Sequence, residues 1–210
     1  SWSRILPGGR GAAPNAAGLR FYRALLAELH AAGITPVVTL FHWDLPECLQ
    51  KKGGWASRET IDRFLEYADA ATAHFSDRVK DWMTFNEPWV YSFCVHLYGV
   101  HAPGLKDLPT ALAVAHHILV AHGKAIPIIR KNVPGAKVGI VNNLALIEGA
   151  TEREDDRAAA RRWDLACNKG FMDPLVGRPL PAAIVSLYGM AMARRTATWR
   201  QWPPRRISSA

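Results

Sequence analysis

Short apolar segments alternate with helical patterns four times along the chain. The strand-like segments are residues 2–6, 34–41, 80–86 and 137–142, and the helical patterns cover residues 18–32, about 57–75, about 110–132 and about 152–168. In the second strand-like segment, Val37, Leu40 and Phe41 belong to a nearly continuous apolar run, as expected for a strand that is covered on both faces. This alternation predicts a parallel sheet whose strands are joined by right-handed crossovers.

Polar side chains lie where each of the four strand-like segments gives way to a loop. They are Arg4, His42-Trp43, Asn86-Glu87 and Asn142-Asn143. In parallel α/β folds, ligands bind at the carboxyl ends of the strands. A doubly wound sheet would usually place its ligand beside a Gly-rich turn, and the sequence has no G-x-G-x-x-G motif. We therefore predict the α/β class and one rim of a (β/α)₈ TIM barrel.

Residues 84–88 (TFNEP) give the strongest indication of chemistry. Pro88 has no backbone N–H and cannot continue the interior of a sheet, so the strand is expected to end at Asn86 and Glu87. A carboxyl group beside an amide and the indole of Trp89 suits a sugar, because these groups can donate a proton, hold hydroxyls and stack on a pyranose ring. Taken alone, the segment is equally compatible with a surface turn.

The composition is that of one globular domain, with 210 residues, 49% hydrophobic and 21% charged. No apolar run is long enough to span a bilayer, and no secretion signal is recognisable, so we expect no membrane partner and a cytoplasmic location. Three widely spaced cysteines suit reduced thiols. The histidines at 116, 117 and 122 lack the i, i+4 spacing of a helical metal pair, and we predict that they are structural and that no metal is bound. The chain opens on Ser1, and we expect that its true N-terminus is missing.

Seven segments, in uninterrupted order from residue 1 to about residue 189, resemble family 1 of the glycoside hydrolases, the retaining β-glucosidases and their relatives. They are residues 1–7 (SWSRILP), 39–46 (TLFHWDLP), 53–55 (GGW), 84–89 (TFNEPW), 99–104 (GVHAPG), 115–117 (AHH) and 138–141 (VGIV). Many barrel glycosidases share Asn-Glu-Pro, whereas residues 42–46 narrow the resemblance to this family. It implies a partial TIM barrel with about strands two to five and their helices. It also implies a β-glycoside or oligosaccharide substrate and no cofactor.

The resemblance also implies a role for six residues. Glu87 resembles the general acid/base, and Asn86 resembles the partner of the sugar 2-hydroxyl. His42 and Trp43 resemble residues that bind other hydroxyls of the same ring. Arg4 is similar to an arginine that pairs with the nucleophilic glutamate, and Asn143 resembles an asparagine that lines the same pocket.

The nucleophile is missing from this set. A retaining mechanism needs two carboxylates, and the family supplies the second one in an Ile/Val-Thr-Glu-Asn-Gly segment that does not occur here. We therefore expect the chain, as given, not to turn over substrate. Two alternatives stay open: a truncated, non-catalytic chain that keeps a residual sugar site, and a 6-phospho-β-glycosidase.

The formal net charge of +8 is concentrated near the C-terminus. Six arginines follow Asp173, the last acidic residue, whereas 20 basic and 18 acidic residues occur up to that point. The charge is therefore a poor indication of nucleic-acid binding by the folded part, and we predict no such partner. Another reading frame of codons for residues 206–210 can encode Asp-Phe-Leu-Gly, a segment of the resembled family. We predict a glycosidase domain over residues 1–189 and a frameshifted, Arg-rich tail over residues 190–210.

Overall fold

A computed structural model describes residues 1–9 and 13–188, which form three strands and the helices that connect them. The strands are β1 (Val37–Phe41), β2 (Asp81–Asn86) and β3 (Lys137–Val141). The α-helices are α1 (Trp2–Ile5), α2 (Ala16–Ala31), α3 (Glu47–Gln50), α4 (Glu59–Phe75), α5 (Leu108–Asn132), α6 (Glu154–Asp164), α7 (Gly170–Leu175) and α8 (Ala182–Tyr188). A 3₁₀ turn (Gly54–Ala56) and two π-helical segments (Val90–Cys94 and Leu165–Lys169) complete the elements.

All three strands are parallel and lie in the order β1-β2-β3. α3 and α4 lie between β1 and β2 in the chain, and α5 lies between β2 and β3. Consecutive strands that pair in chain order through helical crossovers are the pattern of a barrel wall. The carboxyl ends of the three strands consequently meet at one edge, where residues 42–43, 86–87 and 142–143 lie.

The N-terminal segment is a helix, so the prediction of a strand over residues 2–6 is wrong. Trp2 and Ile5 are both buried, and their spacing of three residues puts them on one face of α1. The indole of Trp2 stacks on the ring of Tyr67 of α4, with centroids 5.2 Å apart. An apolar run this short cannot be assigned to a strand or a helix from its pattern alone. The described residues therefore contain three strands rather than the four that were predicted.

Aromatic side chains fill the space between the sheet and α4. The ring of Phe85 on β2 lies 4.5 Å from that of Phe64 on α4 and 5.2 Å from that of Trp55. Phe41 at the end of β1 joins the same cluster, with its centroid 5.7 Å from that of Phe85. Because successive side chains of a strand point to opposite faces, burying Phe41 and Phe85 against the helices leaves the residues that follow them to turn away.

α5 is the longest helix and packs against α4 and β2. The side chain of Asp107 accepts a hydrogen bond from the backbone N–H of Thr110 (2.8 Å) and caps its start. The helix continues through Pro127 without a break. Among the described residues, α5 is long and apolar enough by composition to cross a bilayer, whereas no apolar run of that length was expected. Twelve of its residues are buried within the fold, as expected for a core helix.

The last predicted helix is divided. It forms α6 from Glu154 to Asp164 and then loosens into the π-helical segment Leu165–Lys169. The predicted domain boundary at residue 189 and the predicted tail over residues 190–210 lie outside the described residues.

Candidate active site

The end of β1 presents a histidine and a tryptophan in a tight, polar turn. Trp43 has a φ of 73°, in the left-handed region that side chains with a Cβ rarely adopt. The backbone N–H of His42 donates to Oδ1 of Asp44 (3.4 Å), and Oγ of Ser3 donates to the backbone carbonyl of Asp44 (2.9 Å). Asp44 therefore stabilises the turn through its side chain and connects it to α1 through its backbone carbonyl. Such backbone strain concentrates at functional sites.

The end of β2 contains a β-bulge. Met83 pairs with Gly139 and Asn86 with Val141, so β2 uses one residue more than β3 between these two pairs. A bulge redirects the side chains that follow it, and bulges are over-represented next to active sites. Here Phe85 is still buried against the helices, whereas the half-buried Asn86 turns towards the end of β1.

Glu87 directly follows the bulge. Its backbone has a φ of 46°, and among the described residues only Trp43 shares this left-handed conformation without being a glycine. The N–H of Glu87 donates to the carbonyl of Val141 on β3 (2.8 Å), and its own carbonyl accepts from the N–H of Tyr91 (3.0 Å). These two bonds fix the backbone from which the half-buried carboxyl projects. Burial, and secondarily the charge of Glu87, raises the pKa of the Cys94 thiol, so the carboxyl lies near that side chain.

Two contacts join the ends of β1 and β2. The indole Nε1 of Trp43 donates to the backbone carbonyl of Asn86 (3.0 Å). The side-chain Nδ2 of Asn86 lies 3.3 Å from Nε2 of His42. With the amide donating, Nε2 accepts and Nδ1 of His42 carries the proton. The structure thus brings together His42, Trp43, Asn86 and Glu87, four of the six residues that the sequence singled out.

Asn143 lies at the same edge without joining this group directly. It follows two residues after the end of β3 and is half-buried. In the part of the chain that the structure describes, no hydrogen bond joins its side chain to the other four residues. The neighbouring Asn142 contacts Sδ of Met172 through its Nδ2 (3.3 Å). The pocket role of Asn143 stays a prediction.

Arg4 does not follow a strand, because it lies on α1. Its guanidinium is 4.4 Å from the centroid of the Phe21 ring and 5.7 Å from that of Tyr22, both on α2. Both distances are typical of cation–π contacts. The inference that placed Arg4 at a strand end is wrong, and the structure shows it packed against α2 rather than in contact with Glu87 or Asn86.

Sequence reasoning missed two residues beside this group. The ring of His101 lies 5.4 Å from that of Trp43. Asp44 holds the turn, and its Oδ2 is buried without a hydrogen-bond partner in the described part of the chain. Burial, and secondarily the charge of Asp44, raises the pKa of Tyr91. Both residues belong to segments that carry the family resemblance, 99–104 and 39–46, which was the available signal.

An aromatic groove opens beside the residues that follow Glu87. Its volume is about 380 Å³, and its lining includes Trp89, Leu97, Tyr98, Arg162 and Trp163. Trp89 and Trp163 meet edge to face with centroids 5.9 Å apart. Flat apolar rings with a charged side chain at the margin are suited to a ring-shaped organic group.

Among residues 1–9 and 13–188, no group of three or more His, Cys, Asp or Glu side chains is arranged to hold a metal ion. The buried histidines of α5 contact other elements instead. Nδ1 of His117 lies 2.8 Å from the carbonyl of Trp55, and Nδ1 of His122 lies 2.7 Å from Oγ1 of Thr84.

A family model and the curated relatives relate this chain to the same group of enzymes. The family model described as glycosyl hydrolase family 1 matches residues 1–195. Beta-glucosidase A of Thermotoga maritima is 50% identical over 161 residues, which cover 77% of this chain and 36% of that protein. The 1,4-beta-D-glucan glucohydrolase of Thermotoga neapolitana is also 50% identical over 161 residues, which cover 77% of this chain and 38% of the relative. The chain therefore spans less than half the length of these curated relatives.

The solved structures show the same fold. The structure of the beta-glucosidase from Thermotoga maritima in complex with deoxynojirimycin matches with a TM-score of 0.88 at 42% identity. The match covers 97% of this chain and 47% of that one. It confirms the predicted fold class, part of a (β/α)₈ barrel.

Proposed function

Since this chain belongs to glycosyl hydrolase family 1, we propose that it carries the acid/base part of a retaining β-glucosidase active site. The observation that carries the proposal is the position of Glu87. Its carboxyl follows the bulged end of β2, and Asn86 beside it contacts both His42 and Trp43. A carboxyl group fixed next to an amide, an imidazole and an indole can bind a sugar ring and protonate its leaving group.

In this proposal Glu87 acts twice. Its carboxyl group first donates a proton to the glycosidic oxygen as the bond to the anomeric carbon breaks. The resulting carboxylate then removes a proton from the water that attacks the glycosyl intermediate. The rigid backbone around Glu87, held by Val141 and Tyr91, keeps the carboxyl in one place through both steps.

The neighbouring side chains suit a β-D-glucoside or a related β-glycoside as the substrate. The amide of Asn86 and the imidazole of His42 supply donors and acceptors for ring hydroxyls. Because the Nε1–H of Trp43 already donates to Asn86, its indole offers its ring face rather than its N–H. The groove that begins at Trp89 offers an aromatic surface for the leaving group. A relative supports the substrate class, because the Thermotoga maritima beta-glucosidase was solved with deoxynojirimycin.

The second carboxylate of a retaining enzyme has to lie about 5–5.5 Å from the first. The 210 residues contain no Ile/Val-Thr-Glu-Asn-Gly segment that would supply it. We therefore expect the purified 210-residue chain to leave aryl β-glucosides uncleaved.

A second candidate function, sugar binding without turnover, is favoured by the same observation. Titration calorimetry of this chain with glucose, before and after Glu87→Gln, distinguishes weak binding from none.

A chimeric enzyme tests the catalytic proposal. In it, residues 1–188 replace the structurally matched part of the Thermotoga maritima beta-glucosidase, which then supplies the remaining barrel. We expect hydrolysis of cellobiose, and a loss of about 10²- to 10⁴-fold in kcat/KM on Glu87→Gln, because a positioned acid/base contributes that much. Glu47→Gln is the control, since Glu47 is an exposed residue of α3 that pairs with Lys51. Equal rates for Glu87→Gln and Glu47→Gln in the folded chimera would refute the assignment.

A further inference from the structure

The bulge of β2 is fastened to α5 by a buried polar pair. Thr84 and Phe85 are the two residues between the paired positions on either side of the bulge. The hydroxyl of Thr84 lies 2.7 Å from Nδ1 of His122, and both residues are buried. We propose that His122 is a positioning residue that acts through Thr84 to hold the bulge, and so fixes the direction in which Asn86 and Glu87 project. The inference depends on the proposed function only for what Glu87 does once it is held.

The hydrogen-bond geometry connects three elements. Oγ1 of Thr84 also lies 3.3 Å from the backbone carbonyl oxygen of Gly139 on β3. A hydroxyl has one hydrogen, and a carbonyl can only accept. Both contacts are satisfied when Nδ1–H of His122 donates to Thr84 and Thr84 donates to Gly139. This relay connects α5 to β2 and β2 to β3. It reaches β3 at Gly139, which pairs with Met83 at the start of the bulge.

The relay acts on the first residue of the bulge, and packing acts on the second. Phe85 is fully buried and in contact with the rings of Phe64 and Trp55. With Thr84 and Phe85 both directed at the helices, the regular alternation of the strand is displaced by one position. Asn86 consequently faces the end of β1. Without the displacement it would share the helix-facing side with Thr84.

The strained conformation of Glu87 requires such support. A non-glycine residue with a positive φ persists only when its surroundings determine it more strongly than its own preference. The N–H of Glu87 donates to Val141, which is also the residue that pairs with Asn86 beyond the bulge. The contact between Thr84 and Gly139 joins the same two strands just before the bond between Glu87 and Val141. Holding β2 against β3 at Thr84 therefore supports the backbone of Glu87.

The protonation state of His122 suits a relay that does not change with pH near neutrality. Burial lowers the pKa of His122 to about 4. The ring is then neutral at physiological pH and has a single N–H, which the relay uses at Nδ1. A buried polar pair is costly to leave unsatisfied, so removing either partner exposes the other to that penalty.

His117 provides a matched comparison on the same helix. It is 3% exposed against 6% for His122, and its Nδ1 contacts the carbonyl of Trp55 rather than a strand. Replacing His117 with Leu therefore removes a similarly buried imidazole contact while Thr84 and His122, the two side chains of the relay, stay unchanged. Any effect that is common to the two histidines belongs to the packing of α5.

Hydrogen exchange in the 210-residue chain tests the proposal without any substrate. The amide of Glu87 reports the end of β2, and the amide of Ile118 in the middle of α5 reports opening of the whole fold. His122→Leu and Thr84→Val remove the relay. His122→Asn keeps a donor near the Nδ1 position, and Thr84→Ser keeps the hydroxyl. Val is close in shape to Thr, so Thr84→Val supplies the comparison should His122→Leu fail to fold.

We expect His122→Leu and Thr84→Val to accelerate exchange at Glu87 about tenfold or more beyond any change at Ile118, as loss of a buried hydrogen bond predicts. His122→Asn and Thr84→Ser should restore the slow exchange, and His117→Leu should change both amides by one common factor. Equal acceleration at Glu87 and Ile118 in His122→Leu would overturn the proposal. So would a Glu87 amide that already exchanges freely in the wild type, or conservative variants that behave like the apolar ones.

The outcome is separable from that of the proposed function. If the relay controls exchange at Glu87 while the chimeric enzyme shows no dependence on Glu87, the acid/base assignment fails and the positioning stands. If the chimeric enzyme depends on Glu87 while exchange there ignores His122 and Thr84, the positioning fails and the assignment stands.

Discussion

The indole Nε1 of Trp43 donates a hydrogen bond to the backbone carbonyl of Asn86, 3.0 Å away. The bond joins the ends of β1 and β2 immediately before Glu87. Trp43 and Glu87 are also the two non-glycine residues with positive φ in the described part of the chain. The two strained positions are therefore held by a shared contact, and a change at one is expected to reach the other.

Removing the indole donor tests this connection. In Trp43→Phe the aromatic ring is kept and the carbonyl of Asn86 loses its donor. We expect the free energy of unfolding of the 210-residue chain to fall by about 1–2 kcal/mol, the usual cost of an unpaired, partly buried acceptor. In the chimeric enzyme, kcat should fall more than KM rises. Urea denaturation and steady-state kinetics measure the two effects, and a change in KM alone would show that Trp43 only binds substrate.

The amide of Asn86 is expected to be needed for catalysis rather than for folding. Asn86→Ala removes the contact with His42 and the proposed partner of the sugar 2-hydroxyl. In the chimeric enzyme we expect kcat/KM to fall by about tenfold or more, because a hydrogen bond that strengthens in the transition state is lost. Asn132→Ala is the control, since Asn132 bonds to Asp69 at the far end of α5. Similar kinetics for the two variants would remove Asn86 from the site.

Burial of His122 predicts a specific pH dependence of stability. Its pKa is about 4 in the folded chain, below the ordinary value of 6.5, so the unfolded chain takes up the proton first as the pH falls. Stability is therefore lost as the pH drops from about 6.5 towards about 4, and this contribution levels off below that. The full effect is about 3 kcal/mol.

The variant His122→Asn lacks the titrating group, so the difference in urea midpoint between it and the wild type isolates the effect from that of the carboxylates. We expect the difference to change between pH 6.5 and pH 4 and to be constant above pH 7. If the urea midpoints of His122→Asn and the wild type differed by the same amount at every pH, His122 would not be buried as the structure has it.

The packing of α1 on α2 predicts the effect of a small substitution. A Cβ at Gly18 would lie 2.3 Å from the backbone carbonyl oxygen of Arg4, a contact that requires the backbone to move. We expect Gly18→Ala to destabilise the chain by about 1–3 kcal/mol, as overpacking does. At Gly8 a Cβ would meet no atom within 4 Å, so Gly8→Ala should stay within about 0.5 kcal/mol of the wild type. Equal stability of the two variants would contradict the position of α1.

Local patterns were sufficient to find the strands and the ends that carry chemistry. The apolar run that ends at Phe41 and the proline after Glu87 mark the ends of β1 and β2 within one residue. They failed at residues 2–6, where Trp2 and Ile5 fit a strand and a helix equally well and contact with Tyr67 decides for the helix. Because residues 2–5 form a helix, the prediction that Arg4 lies at the end of a strand was wrong as well.

The details that hold the site could not be read from local patterns. The bulge of β2 is defined only by its register with β3, and the partner of Thr84 lies 38 residues further along the chain. Two histidines of α5 with similar burial have different partners, and only the fold distinguishes His117 from His122. The sequence therefore predicts which residues carry the chemistry and leaves open what positions them.

The configuration of a trapped product distinguishes an acid/base role of Glu87 from a nucleophilic one. In the chimeric enzyme, Glu87→Ala leaves space beside the anomeric carbon, on the face where water normally attacks the glycosyl intermediate. With an aryl β-glucoside and azide, we expect a recovered rate and a β-glucosyl azide, because the anion replaces that water. An α-glucosyl azide would identify Glu87 as the nucleophile, and a Glu87→Ala rate equal to that of the unmodified chimera would show that Glu87 has no catalytic role.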